Sequence, residues 1–514
     1  MNRIAHTIAK GASLLALVGV LASCAELKPH RAAWETSSVY PPSVTCNPNP
    51  ADFRVSASCA NRIWEYSRDY DLLFTEFTDQ GLQYPVQELQ GREQAAYQIN
   101  HTIDALDKII RASRTAGISL IVYVHGWQHS ANSEDRDVKR FREILQAAAQ
   151  AEVLQAELEG GGPPYRVVGV YVGWRGRSLD LPLVDNLSFW NRKEAASRVA
   201  LGSTRELFNR LRNFRCEWNR RGSARRAGAA GDCVLTVDDD QPRARVSTMM
   251  VGHSFGAWIL YNALAGSLVE TLIQPRDARG QSSVNLRYAD LVVLLNPAFE
   301  AASYTPLHRV AAPEEKYYRP SYHPPMLVSV TSSADWATRV AHPLGRFFSS
   351  LNESTVGVEE NVASGRTMGH MIGDGTRDDP TDYVTHLLTH DSHGPETCVN
   401  WRAPETRDER VSQAEGNDRA KANLTAEIRH AQRFINENSR LLARSSRRFC
   451  GGATLTHRNH DPNSVVWNVR SNETIMTGHN DVMNDNLIDF LRQIYIETAV
   501  WPWRRLPATS RPAR

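Results

Sequence analysis

The sequence predicts an α/β fold: a doubly wound, mostly parallel sheet with helices on both faces and a large insertion before the last strand. Short apolar runs such as "SLIVYVHGW" and "RVVGVYVGW" have the Val, Ile and Leu content of strands that are buried on both sides. These runs alternate with helical stripes, and a β-α-β-α alternation is typical of parallel sheets. The 514 residues, 41% of them hydrophobic, are enough for one large domain with insertions or for two domains.

The individual elements follow from the period of the apolar residues and from the glycines and prolines between them. The segment 92–113 carries apolar residues one helical turn apart, and Gly117 follows it. The aromatic and branched residues of 70–79 predict a strand. In chain order, the pattern predicts strands at 70–79, 119–127, 166–174, 245–252, 288–297, 324–333 and 464–469, and helices at 92–113, 134–157, 188–214, 254–266 and from 484.

The charge balance argues against one class of partner. The formal net charge of the whole chain is +2. Residues 1–23 contribute two positive charges to it, Arg3 and Lys10. Without that segment the chain carries 57 Lys and Arg against 57 Asp and Glu. A neutral chain gives no reason to expect nucleic acid as a partner.

The first 23 residues have the parts of a secretory signal peptide. "MNRIAHTIAK" is a basic n-region, and the apolar run "GASLLALVGVLA" is too short to span a bilayer core of about 30 Å. The ending "LASC" resembles the lipobox of bacterial lipoproteins, which implies that 1–23 is removed, that Cys24 is acylated and that Ala25 directs the chain to the outer membrane. The resemblance thus implies a lipid anchor on the bacterial cell envelope, facing the periplasm or the surface. An ordinary signal peptide with an incidental cysteine is the alternative, and 24–50 is expected to be an extended tether.

Six cysteines remain after Cys24. An even number in an exported chain indicates disulfides, although six cysteines allow fifteen pairings. The simplest pairing is sequential, because each pair then brackets a loop that is rich in Gly, Pro or charged residues. It joins Cys46 with Cys59, Cys216 with Cys233, and Cys398 with Cys450.

The stretch "MMVGHSFGAWIL" interrupts an apolar strand with Gly-x-Ser-x-Gly and then continues as an apolar helix. This order is that of a nucleophile elbow, a tight turn that raises a serine hydroxyl above the carboxyl ends of the strands. Ser254 is then the candidate nucleophile, and Gly252 and Gly256 lack the Cβ atoms that would collide in the turn. His125 and Gly126 directly follow the preceding central strand. The helix after Ser254 directs its N-terminal amides at the same place, which favours a developing negative charge.

With these two motifs the chain resembles the α/β-hydrolase superfamily. The resemblance implies that the backbone amides of Trp127 and Phe255 form an oxyanion hole, in which each donor contributes about 10²–10³ in rate. It also implies the chain order nucleophile, acid, histidine. His125 precedes Ser254 and is therefore expected to be a structural residue of its loop.

The same order selects the acid and the base. Asp335 follows the strand "MLVSVTSS" and is the candidate acid, with Glu300 after the preceding strand as the runner-up. An aspartate that only caps the next helix is the alternative interpretation. His479 lies in a glycine-containing loop between the last strand and the last helix and is the candidate base. Its competitors are His370, His386, His390 and His393.

The long interval between acid and base implies that 345–462 is an insertion, a lid or a side subdomain. Residues 51–344 and 463–500 then make up the hydrolase domain, and 501–514 is a loose tail. The stretch "GDGTRDDPTD", near His386 and His390, could be interpreted as a metal site. An acidic solvated loop is the better interpretation, because the acid spacing does not match an EF-hand loop. We expect no metal and no organic cofactor.

Together these features predict a serine hydrolase that cleaves acyl esters, lipids included, through a Ser-His-Asp triad and an acyl-enzyme. Thioesters and peptides remain open as substrates of the same fold. The alternative from another class is a non-catalytic binding or assembly protein of the envelope, since a fold does not determine chemistry.

Overall fold

A mostly parallel sheet of eleven strands lies at the centre of the computed structural model. The structure describes residues 28–34, 39–88, 96–112, 115–158, 160–176, 185–221, 245–273, 287–311, 324–341, 354–374, 379–390, 422, 425–426, 428–429, 446–449, 451–458 and 464–500. The chain divides into two units, Met1–His30 and Arg31–Arg514, and all elements below belong to the second.

The strands and helices found among the described residues agree with most of the predicted positions. The strands are β1 (Ala33–Trp34), β2 (Trp64–Tyr66), β3 (Tyr70–Phe77), β4 (Pro85–Glu88), β5 (Ala96–Tyr97), β6 (Ile118–Val124), β7 (Arg166–Trp174), β8 (Val246–His253), β9 (Leu291–Leu295), β10 (Leu327–Ser332), β11 (His386–His390), β12 (Ser446–Arg448), β13 (Ala453–His457) and β14 (Val466–Ser471). The α-helices are α1 (Gln98–Arg111), α2 (Arg136–Leu158), α3 (Asp185–Leu201), α4 (Ser203–Arg221), α5 (Phe255–Ile273), α6 (Ala301–Ala311), α7 (Gly357–Gly365) and α8 (Asp485–Tyr495). Three short helical turns are Ala337–Ala341, Met368–His370 and Ile496–Val500.

The main sheet confirms the predicted α/β class and is parallel except at its two edges. Its strand order is β12-β13-β11-β14-β10-β9-β8-β6-β7-β3-β2. All pairs from β11 to β3 are parallel, whereas β2 is antiparallel to β3 and β13 is antiparallel to both β11 and β12. Parallel strands need crossover connections, which the helices between them supply.

Helices cover both faces of the sheet, and β6 shows why. Val122 and Val124 pack into the apolar cluster that includes helices α1, α4, α5 and α6. Ile121 and Tyr123 point to the opposite face and pack with Phe141 of α2. Side chains alternate along a strand, so an apolar residue at every position requires an apolar layer on each face. Each such side chain contributes about 1.5–3 kcal/mol when fully buried.

The predicted helix 188–214 is wrong as a single element, because it is two helices that meet at Gly202. The Ser203 amide donates to the Gly81 carbonyl oxygen at 2.8 Å. A Cβ atom at Gly202 would overlap that same carbonyl oxygen. The close approach of these two backbone segments therefore explains the break.

The expected tether 24–50 is shorter than predicted. Arg31 and Trp34 are buried at 0% and 4% exposure. The Arg31 guanidinium donates to Glu65 at 2.7 Å, and Arg142 donates to the same carboxylate at 2.8 Å. A buried arginine needs a carboxylate partner of this kind, and nothing in the local sequence shows that partner.

One predicted disulfide is confirmed: Cys46 and Cys59 are bonded. Cys216 is disulfide-bonded as well. The other three cysteines of the predicted pairs, Cys233, Cys398 and Cys450, lie outside the described residues.

In its described part, the predicted insertion 345–462 extends the main sheet. Strand β11 pairs in parallel with β14, and β13 and β12 follow it at the edge. The sequence did not indicate these strands, because their residues are largely polar.

The chain order of the strands reverses direction in the middle of the sheet. Strands β7 and β8 follow β6 in the sequence and pair with its two opposite edges. In open α/β sheets such a switch point leaves a crevice at the carboxyl ends of the strands, where ligands bind. Among the described residues one helix, α5, is long and apolar enough to cross a membrane, and half of that stretch is buried inside the protein, as in a core helix.

Candidate active site

A strained turn joins β8 to α5 at the switch point. Ser254 has φ +55°, a backbone conformation that non-glycine residues rarely adopt and that costs about 1–3 kcal/mol. A Cβ atom at Gly252 would lie 2.7 Å from the Ala257 Cα, and one at Gly256 would overlap the carbonyl oxygens of Val124 and His125. Both glycines are therefore required by the close packing of the turn.

The structure brings together Ser254, His479 and Asp335. They follow β8, β14 and β10, at the carboxyl ends of these parallel strands. The Ser254 Oγ lies 2.8 Å from His479 Nε2, and His479 Nδ1 lies 2.8 Å from Asp335 Oδ2. The side chain of His479 is 16% exposed, whereas Ser254 and Asp335 are 2% and 0% exposed. A hydroxyl bonded in this way can pass its proton to the imidazole while the carboxylate holds the ring.

The electrostatics of Asp335 favour the ionised carboxylate. Burial raises the pKa of this carboxyl, but hydrogen bonds from His479 and from Thr338 act in the opposite direction and the net pKa is lowered. An ionised carboxylate only accepts hydrogen bonds, so His479 Nδ1 carries the proton and Nε2 accepts from Ser254.

The loop that carries His479 is held by side chains that the sequence reasoning missed. His253 Nε2 donates to the His479 carbonyl oxygen at 2.9 Å, and Asn296 Nδ2 donates to the same oxygen at 2.9 Å. Ser332 Oγ donates to the Met476 carbonyl oxygen at 2.7 Å. His253 ends β8, Asn296 follows β9 and Ser332 ends β10, so the sheet itself holds the loop of the candidate base His479.

The local sequence marks Asn296 as a turn residue, and burial determines the state of His253. Asn296 precedes a proline directly after a strand, and it adopts φ +43°. Burial and the neighbouring His479 hold the pKa of His253 well below its usual range, so its ring is neutral and donates through Nε2.

His125 is built into the loop after β6. The Trp174 amide donates to His125 Nε2 at 3.1 Å, which leaves Nδ1 to donate to the Gly126 carbonyl oxygen at 2.8 Å. Burial lowers the pKa of His125 to about 4, and the ring stacks on Trp174. These contacts agree with the structural role expected for this residue.

The two predicted oxyanion donors lie in the segments that meet at Ser254, the β6 loop and the start of α5. Phe255 is the first residue of α5, directly after Ser254. Trp127 follows Gly126, where a Cβ atom would lie 3.0 Å from the Ser254 Cβ and 2.8 Å from the His253 Nδ1. The β6 loop thus passes directly beside the serine.

The competitors of the acid and the base bond elsewhere. Glu300 pairs with Lys193 of α3. The competing histidines His370, His386 and His390 bond Thr338 Oγ1, Thr385 Oγ1 and the Gly451 carbonyl oxygen respectively. His393 lies outside the described residues.

Two places could supply metal ligands. In the described part of the acidic stretch 373–382, the Asp379 carboxylate accepts hydrogen bonds from the backbone amides of Asp374 and Thr381 at 2.9 and 2.8 Å. Within the described ranges, one cluster has ligand-like spacing: His129, Asp135 and Asp137.

Hydrogen bonds to neighbouring side chains hold the members of this cluster in place. His129 Nδ1 lies 2.9 Å from Asp135 Oδ1, and Tyr123 donates to Asp137 at 2.8 Å. Burial lowers the pKa of His129, but the carboxylates of Asp135 and Asp137 have the larger, opposite effect, so the net pKa is raised. His129 is thus hydrogen-bonded to Asp135 and lies beside Asp137 of α2.

Comparison with known proteins found no match to this chain among family models, curated proteins or solved structures.

Proposed function

We propose that this chain is a serine hydrolase of the α/β-hydrolase fold that cleaves acyl esters. The proposal depends on one observation: the continuous hydrogen-bonded chain from Ser254 through His479 to Asp335, with the serine on a strained strand-to-helix turn. The chain order serine, aspartate, histidine and the strand–turn–helix context of the serine support the assignment of the fold.

Acylation uses all three side chains. The Ser254 oxygen attacks the acyl carbonyl carbon while His479 Nε2 takes the hydroxyl proton. The amides of Trp127 and Phe255 stabilise the negative oxygen of the tetrahedral intermediate. The imidazolium of His479 then gives its proton to the leaving alcohol as the carbon–oxygen bond breaks, and the acyl group stays on Ser254.

Deacylation repeats these steps with water. His479 removes a proton from a water molecule that attacks the acyl-enzyme, and then returns the proton to Ser254 as the acid leaves. Asp335 holds the ring in the tautomer that accepts at Nε2 and stabilises the imidazolium in both halves of the cycle. No proton transfer in this cycle requires a metal or an organic cofactor.

The proposed location is the bacterial envelope, with a lipid anchor at Cys24. This part of the proposal depends on the sequence, since 1–27 lies outside the described residues. Acyl chains contribute about 0.8 kcal/mol per buried methylene, so several chains anchor a protein stably. Expression of Cys24→Ser tests the anchor: the wild type should fractionate with membranes and the variant should be released.

Labelling with a fluorophosphonate probe tests the activity. The purified wild type should form a covalent adduct, and Ser254→Ala should form none. Ser364→Ala is the matched control, because that hydroxyl donates to the Asn361 carbonyl oxygen of its own helix, and it should label like the wild type. Absence of labelling in folded wild type, both with and without detergent micelles, would contradict the proposal and favour a binding protein.

A screen of p-nitrophenyl esters, acyl thioesters and peptide anilides then separates the substrate classes. We expect the protein to turn over the esters faster than the anilides. Preferential cleavage of anilides would identify a peptidase on the same fold.

A further inference from the structure

A second line of hydrogen bonds reaches the same Asp335 oxygen that His479 contacts. Thr338 Oγ1 lies 2.6 Å from Asp335 Oδ2, and His370 Nε2 lies 3.0 Å from the same Thr338 oxygen. His370 Nδ1 in turn lies 3.4 Å from Arg470 Nη1. Thr338 and His370 are 1% and 7% exposed, so this line runs through the interior.

The two ends of the line fix the direction of every bond in it. A guanidinium only donates, so Arg470 donates to His370 Nδ1. The proton of the neutral ring is then on Nε2 and is donated to Thr338. The Thr338 hydroxyl therefore donates its own hydrogen bond to the Asp335 carboxylate, which can only accept. Asp335 Oδ2 thus receives one proton donor from His479 and another from Thr338.

The surroundings of His370 keep its ring neutral. Burial lowers the pKa of His370 to about 4, and the nearby guanidinium groups of Arg470, Arg339 and Arg366 lower it as well, against the single opposing charge of Asp335. A neutral ring is the form that can accept at one nitrogen and donate at the other.

The turn that carries His370 is fixed by packing. Asn468 Nδ2 of β14 donates to the Met368 carbonyl oxygen at 2.8 Å. A Cβ atom at Gly369 would overlap the side chain of Thr331 in β10. The turn Met368–His370 is therefore held against the two adjacent strands β10 and β14, which fixes the position of the ring beside Thr338.

We propose that Thr338 and His370 are positioning residues of the catalytic acid, which orient the Asp335 carboxylate and withdraw part of its negative charge from His479. The inference depends on the proposed function for its kinetic meaning. It assigns a role to a segment, 345–462, that was expected to form a lid or a side subdomain, because His370 belongs to it.

Thr338→Val and Thr338→Ser form a matched pair. Valine has nearly the same shape and keeps the backbone amide that donates to Asp335 Oδ1 at 3.2 Å, but it lacks the hydroxyl, which serine restores. With p-nitrophenyl butyrate as the probe substrate, Thr338→Val should lower kcat on the order of 10-fold and leave KM unchanged. Thr338→Ser should remain within about two-fold of the wild type.

The pH profile separates positioning from a purely structural role. Without the hydroxyl, more of the charge on Asp335 stabilises the protonated ring of His479. The acid limb of the kcat/KM profile should therefore move to higher pH in Thr338→Val and return in Thr338→Ser. His370→Leu should act in the same direction, and His370→Gln, which keeps a donor toward Thr338, should restore the profile. A profile that is lower in height but unmoved in pH would overturn the proposal, as would unchanged kinetics.

A spectroscopic measurement distinguishes failure of this inference from failure of the proposed function. The far-downfield proton resonance of the His479 Nδ1–H···Asp335 bond exists without turnover. It should shift in Thr338→Val and return in Thr338→Ser, even if no ester is cleaved and no probe binds. An identical resonance in all three proteins would refute the positioning role, whatever the enzyme assays show.

Discussion

Replacement of Asp335 by asparagine changes the site by one atom, and the structure predicts how the new side chain will sit. The Thr338 backbone amide is a fixed donor, 3.2 Å from Asp335 Oδ1, so the asparagine carbonyl oxygen should occupy that position. The asparagine amide group then takes the place of Oδ2 and faces both His479 Nδ1 and Thr338 Oγ1. The Thr338 hydroxyl, unlike the backbone amide, can rotate to accept a hydrogen bond from this amide group. Two donors cannot face each other, so the proton of His479 should move to Nε2.

The expected loss follows from that tautomer. A ring protonated at Nε2 cannot accept the proton of Ser254, and the corresponding change in a serine protease triad lowers kcat by about 10⁴. The opposite amide orientation would keep the correct tautomer but replace a charged hydrogen bond by a neutral one, which costs about 1 kcal/mol, or roughly 5-fold. The backbone amide of Thr338 cannot change its direction, so its contact with Oδ1 favours the larger of the two losses.

Two measurements check this prediction. The kcat for p-nitrophenyl butyrate should fall by about 10⁴ in Asp335→Asn, and the ¹⁵N shifts of His479 should report a proton on Nε2. Asp107→Asn is the control, since that carboxylate is 42% exposed and pairs with Arg111 on the surface of α1. A folded Asp335→Asn protein within about 10-fold of the wild type would refute the reasoning.

Three further predictions concern the elbow, the buried charges and the response of the fold to acid. Gly256→Ala should destabilise the fold and abolish probe labelling, because its Cβ would overlap backbone oxygens of the β6 end; a stable, labelled variant would show that the turn can open. Glu65→Gln should lower the free energy of unfolding in urea by about 3–5 kcal/mol, since it leaves two buried arginines without their carboxylate, whereas the exposed control Glu134→Gln should change it by less than about 1 kcal/mol. Equal effects of the two would show that the buried network is not retained in solution. The pKa values of His125 and His370 are lowered to about 4, so below about pH 6.5 the unfolded chain binds protons that the folded chain does not. Stability should therefore decrease by up to about 3 kcal/mol for each histidine as the pH falls from about 6.5 to about 4, and a urea midpoint that stays constant over this range would contradict the buried neutral rings.

The central part of the fold was predictable because each of its strands is apolar at nearly every position. β7 has the predicted bounds, and β6 and β8 differ from the prediction by a few residues. The strands at the edge were not predictable, since β12 consists of Ser446–Arg448 and alternation needs a longer run than three residues to be recognised.

Long-range backbone and charge contacts account for the other differences. The break at Gly202 arises from its approach to Gly81, more than a hundred residues earlier in the chain. Arg31 lies in a segment whose prolines and polar residues are typical of a linker, and its burial depends on Glu65. Neither partner can be identified from the local sequence.

In the site, the elbow motif selected Ser254, and chain order then selected Asp335 and His479, the two side chains that the structure brings together with it. The order applies because the carboxyl ends of parallel strands meet at one edge of the sheet. Thr338 and His370 were not recognised as neighbours of Asp335, although His370 had been considered as the base. Their contact depends on the packing of a turn against β10 and β14, which no motif encodes.

Identification of the residue that carries a covalent adduct tests the central claim most directly. Wild-type protein is treated with the fluorophosphonate probe, digested and mapped by mass spectrometry. Our account predicts a single modified residue, Ser254, and no adduct in either Ser254→Ala or the probe-treated unfolded chain. An adduct on another residue, or an unmodified Ser254 in the folded wild type, would contradict the proposal that this serine is an activated nucleophile.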